Sequence, residues 1–205
     1  MSKKKTSIFV VTLLLLMVIG FRIYDVNANA VQLEVQHYDM DEWVELNGAF
    51  LDTKDGENTE GYSIKVKNAK LMSYNEFVSK YCEKDEAIEG LDNKSVIDLE
   101  IEIKNVGNED GYILILMCKL ISEKKNYYLN TDSVLWSKAE PNVDEYAVAF
   151  CIKKDTEYTT HIPYTINVTD LEQYKKPIED RNFELILSNS PVRKVVDIQI
   201  QDMDN

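Results

Sequence analysis

Apolar and polar residues alternate along most of this chain. Ile97, Leu99, Ile101 and Ile103 are interleaved with Asp98, Glu100, Glu102 and Lys104. That period of two puts branched side chains on one face of a strand and charges on the other. Residues 105–111 are turn-forming, and an apolar run from Tyr112 to Leu120 follows. Two strands joined by such a loop predict an antiparallel pair.

The same alternation predicts strands around Tyr62, Ile64 and Val66, from Tyr146 to Ile152, and from Tyr158 to Tyr164. Pro163 marks the last of these as an edge or a strand end. Phe183, Leu185 and Leu187 form another strand, and Val196, Ile198 and Ile200 close the chain, with the turn between them at Ser188–Pro191. Shorter candidates lie at Val31–Val35, Met40–Leu46 and Asn126–Asn130. One segment departs from the pattern. Ser73-Tyr74-Asn75-Glu76 is a capping box, and Tyr74, Phe77, Val78 and Tyr81 follow at helical spacing, which predicts one short helix over about residues 74–82. The connections are an acidic loop at 83–93, an irregular stretch at 131–142 that carries Trp136, and a charged segment at 170–182.

Many short strands with turn signals and a single helix predict an all-β protein, a two-sheet antiparallel β-sandwich. The expected division is a leader at 1–30, an extended polar lead-in at 31–61 and the sandwich at 62–205. The leader has Lys3, Lys4 and Lys5, an apolar stretch from Ile8 to Phe21, and Ala28-Asn29-Ala30, a small-x-small pattern suited to signal cleavage at Ala28 and Ala30. It reads as a signal peptide or a membrane anchor, with the membrane entered only through residues 8–24 if the leader is kept. Positive charge ahead of the apolar run orients both alternatives with the domain outside. An extracellular or cell-surface location is therefore expected.

Charge narrows the choice of partners. Residues 31–205 hold 19 Lys+Arg against 35 Asp+Glu, a formal −16. Such a surface repels phosphate backbones and anionic lipid, which argues against nucleic acid. Cys82, Cys118 and Cys151 are too scattered for a disulfide framework or a paired-cysteine metal site, although a Cys118–Cys151 bridge is conceivable in an oxidising compartment. His37 and His161 stand 124 positions apart, and both are expected at the surface. Asp52–Asn58 imitates a calcium loop but has Lys54 at a ligand position, so it reads as a solvated loop. The carboxylates Asp98, Glu100 and Glu102 read as a solvated strand face. No catalytic, cofactor or metal motif is found, and the chain is expected not to be an enzyme.

The stretch Asp98-Leu99-Glu100-Ile101-Glu102-Ile103-Lys104-Asn105-Val106-Gly107 resembles the middle strand of extracellular immunoglobulin-like modules of Gram-positive bacteria. Phe150–Thr156, Tyr158–Ile166 and Phe183–Ile200 stand where those modules have their later strands. Met40–Phe50 followed by Gly61–Val66 is similar to a domain-of-unknown-function family of such proteins, whose members carry an N-terminal membrane or signal segment. The chain departs from these modules at Lys153-Lys154-Asp155-Thr156, where they often have a Pro-Gly turn. The resemblance implies an immunoglobulin-like β-sandwich and no catalytic residues. Export, acidity and the absence of catalytic motifs fit a non-enzymatic surface module that binds a protein or cell-envelope component, with Trp43, Trp136, Tyr127 and Tyr128 as candidate contacts, although aromatics of this kind more often pack in the core. The alternative is an accessory subunit of a membrane assembly, tethered by its N-terminal helix.

Overall fold

The computed structural model describes residues 3–30, 33–55, 57–82, 94–124, 127–140, 149–167 and 181–202. The chain divides into two compact units, 1–33 and 34–205. The first is one helix, α1 (Lys3–Ala28). Its residues 8–28 form a 21-residue segment apolar enough to cross a membrane, with none of it buried against protein. Apolar character on every side suits a lipid environment, and 21 residues reach across a bilayer core. The segment is longer than the stretch Ile8–Phe21 suggested, because the helix continues through Arg22 and Asp25.

The second unit contains, in order, β1 (Glu34–Asp39), β2 (Val44–Glu45), β3 (Tyr62–Ser73), α2 (Tyr74–Tyr81), β4 (Lys94–Asn105), a 3₁₀ turn (Ile115–Met117), β5 (Leu120–Ser122) and β6 (Tyr128–Leu129). Then come α3 (Ser133–Ala139), β7 (Thr156–Asn167), β8 (Asn182–Ser188), β9 (Val192–Gln199) and β10 (Gln201–Asp202). One sheet runs β1-β9-β8-β5-β6 and the other β10-β3-β4-β7, with β2 paired to β3. Ile64, Val66, Leu99, Ile101 and Ile162 from the second sheet share one buried core with Phe183, Leu185, Val196 and Ile198 from the first. The alternation read from the sequence therefore orients β3, β4, β7, β8 and β9 correctly.

Pairing departs from the sequence expectation in three places. First, β4 is flanked by β3 and β7, both antiparallel, and not by residues 112–120. That apolar run passes between the sheets: Ile113 bridges Phe150, Ile115 and Cys118 are buried at the 3₁₀ turn, and Leu120 enters the other sheet beside β8. Within the run Ile113, Ile115, Cys118 and Leu120 are buried, while Leu114 and Leu116 are half-buried and Met117 is exposed. Second, the sheets are mixed rather than wholly antiparallel, since β1 runs parallel to β9 and β10 parallel to β3. Third, the sheet begins at Glu34, so residues 34–61 are no lead-in: β1 pairs along its whole length, and Val44, Leu46 and Ala49 are buried.

Helix α2 has the predicted cap. The Ser73 hydroxyl accepts the Glu76 N–H at 3.2 Å, and the Glu76 carboxylate accepts the Ser73 N–H at 2.7 Å. Helix α3 is a second helix within the stretch read as irregular. Asp132 caps it by accepting the Leu135 N–H at 3.0 Å. Seven residues are too few to display a helical period. α3 shields the free edge of β7. The Asp132 N–H donates to the Pro163 carbonyl at 2.8 Å, Thr131 bridges Tyr164, and the Thr165 hydroxyl donates to the Asp132 carboxylate. Covering an edge in this way removes a row of unpaired backbone groups.

Of the strand expected at 146–152, residues 149–152 carry only the Phe150 bridge, and 141–148 lie outside the described residues. The acidic loop at 83–93 and most of the charged segment at 170–182 lie outside them too. The loop at 52–58 is not simply solvated. Glu57 is buried, and its carboxylate accepts the backbone N–H groups of Leu51 at 3.1 Å and Asp52 at 2.7 Å.

Candidate functional site

The four aromatic residues weighed as partner contacts or as core fall in different surroundings. Trp136 is 0 % exposed. Its indole N–H donates to the Thr160 hydroxyl at 3.0 Å, and its ring stands edge-on to Phe150 at 5.8 Å. It is a core residue, because α3 sends Leu135 to one side of the β7 edge and Trp136 to the other. Tyr127 is half-buried and packs edge-on against Phe183 at 6.0 Å. Tyr128 is 52 % exposed, with the Lys119 ammonium 4.6 Å from its ring. Trp43 is half-buried beside β2, under the ammonium groups of Lys65 at 4.6 Å and Lys104 at 5.9 Å. Tyr128 belongs to one sheet and Trp43 adjoins the other, so the fold does not gather these residues into one patch.

Ala28 ends α1 and Ala30 follows it, both exposed. Cys118 and Cys151 are unbridged: the first is buried and the second exposed. Burial, reinforced by the charge of Glu57, pushes the Cys118 thiol well above its ordinary range.

Two groupings of titratable side chains were not foreseen. One lies on the outer face of the β3-β4-β7 sheet, at the end of α2. Asp98 is 3 % exposed, and both of its oxygens lie within 3.1 Å of His161 Nδ1. The Tyr81 ring stacks on the imidazole at 4.0 Å, and its hydroxyl bonds the same carboxylate. Burial, then the Asp98 charge, raises the Tyr81 phenol well above its ordinary value. His161 is therefore not a solvent-facing surface histidine, since its side chain is only 26 % exposed. Nor is Asp98 part of a solvated acidic face. The alternation placed both on the outer face correctly, but α2 folds over that face and covers them. The trio ties the last turn of α2 to β4 and β7, beside a recess of about 250 Å³.

The second grouping lies on the outer face of the other sheet. His37 on β1, Asp197 on β9 and Glu184 on β8 come from three adjacent strands. In the register, Glu184 stands opposite Asp197, and so does Asp39. His37 Nδ1 lies 3.0 and 3.2 Å from the two Asp197 oxygens. These residues line an open cleft of about 800 Å³. Imidazole and carboxylate are the side chains here that can hold a metal ion.

Fold and sites together define a mostly β protein of two packed sheets that follows an N-terminal apolar helix. The chain belongs to the family described as Domain of unknown function (DUF5028), which it matches over residues 35–194. Among solved structures it is similar to a conserved hypothetical protein from Bacillus anthracis, at 16% identity and a TM-score of 0.43, over 78% of this chain and 96% of that one. No protein with a curated description matches it.

Proposed function

We propose that this chain is an exported or cell-surface, non-enzymatic module of immunoglobulin-like type that binds a protein or envelope component. The observation that carries the reading is the join between its two units. A lysine-led apolar helix long enough to span a bilayer precedes a strongly acidic two-sheet unit. An anionic surface keeps such a unit dispersed and clear of anionic lipid. The parallel pairing of the first strand with β9 supports an immunoglobulin-like arrangement, since it brings the start and end of the sandwich together. Trp43 and Tyr128, each topped by lysine ammonium groups, offer amphipathic surface to a partner.

Protease treatment of intact cells tests the placement. Loss of residues 34–205 while cytoplasmic markers survive supports it, and full protection overturns it. Crosslinking on the same cells should capture a partner, with capture reduced in W43A and Y128A. A second reading, an accessory subunit held at the membrane, is favoured by the length of the segment 8–28. A mature N-terminus at Met1 supports this tether, and one at Val31 rejects it.

A further inference from the structure

We propose that His37, Glu184 and Asp197 form a binding site for a first-row divalent cation, Zn²⁺ or Mn²⁺, on the outer face of the first sheet. One donor atom from each residue can be chosen so that all three lie within 4.8 Å of one another. Two donors each about 2.1 Å from a common ion are at most about 4.2 Å apart. A cation bound there would draw the three side chains together by the remaining few tenths of an ångström.

The backbone supplies the rigidity such a site needs. β1, β9 and β8 are consecutive in the sheet, and Asp197 on the middle strand faces Glu184 on one side and Asp39 on the other. Like charges directly across a pair of strands repel one another. A bound cation would be ligated by carboxylates that already face one another across these strands. Among the described residues, the cationic side chain lining the cleft is Lys67, which pairs with Asp41 at 2.9 Å.

Donor chemistry selects the ion. Carboxylates alone suit Ca²⁺ or Mg²⁺, whereas an added imidazole shifts preference to the first-row metals. His37 turns its Nδ1 into the cluster, onto the Asp197 carboxylate. The open cleft leaves further coordination positions to water or to a ligand from a partner. No sequence motif announces the site, because His37 and Asp197 are 160 positions apart.

The full-length chain in detergent micelles is titrated with Mn²⁺ and Zn²⁺ by calorimetry, and electron spin-echo spectroscopy of the Mn²⁺ form reports nitrogen coordination. The expected result is one equivalent bound with an imidazole nitrogen signal, lost in H37A. H37A and D197N should each weaken binding at least tenfold, while H161A and C151S leave it unchanged. His37 and Asp197 side chains are about half exposed, so these variants should melt as the parent does without metal. Should a variant not fold, the nitrogen signal of the unaltered protein still decides. Absence of saturable binding, absence of a nitrogen signal, or binding that is indifferent to H37A and D197N would each overturn the proposal.

Discussion

Trp136 shows how the structure decides between two readings of one residue, partner contact and core. It lies in a stretch with no strand pattern, yet it is fully buried in the core and satisfies its N–H on Thr160. Truncating a buried indole leaves a cavity, so Trp136→Ala should cost about 3–5 kcal/mol. Urea unfolding followed by circular dichroism measures this, and a loss under 1 kcal/mol would contradict the buried placement. The cysteines make the same point in reverse. Cys118 and Cys151 look equivalent in sequence, but one faces the core and the other solvent. Asp98 and His161 also differ from their reading as surface groups, because alternation tells which face of a strand a residue occupies and not what covers that face.

At the scale of elements, the signals that operated locally were legible. The Ser73/Glu76 capping box predicts α2 and does form, since both halves of its hydrogen bonding lie within four residues. Ser73→Ala should lower stability by about 1 kcal/mol at neutral pH. The Ser73 backbone N–H, and then its hydroxyl, hold the Glu76 carboxyl below its ordinary value. A carboxyl with a lowered pKa in the fold gives stability that is full above its unfolded value, about 4.5, and lost as pH falls through the lowered one. Amide protection factors in α2, corrected for the intrinsic pH dependence of exchange, should therefore fall at acid pH, and Glu76→Gln should remove that dependence. An unaltered acid response in Glu76→Gln would refute the assignment. α3 escaped notice because its purpose is tertiary. It covers the β7 edge through bonds to Pro163 and Thr165, more than thirty residues away.

For the whole molecule, α1 and the β unit are separate compact bodies. Expressed without residues 1–33, the protein should stay in the supernatant after ultracentrifugation and keep a strand-dominated circular dichroism spectrum. Precipitation with loss of that spectrum would show that the β unit needs its leader. The core supports the expectation: it is drawn from both sheets, and a unit of about 170 residues can bury roughly 70% of its unfolded surface.

The amino-acid sequence alone determined the apolar leader, the helix capped by Ser73, the faces of the five long strands and the two-sheet class. Each of these depends on neighbours within a few residues, where periodicity and capping act. Tertiary structure decided which strands pair, in which direction, and what lies over each face. Pairing partners such as β1 and β9 are more than 150 residues apart, and their register comes from side-chain burial across the whole core. The same long-range placement joined His37 to Asp197 and His161 to Asp98, which no local pattern encodes.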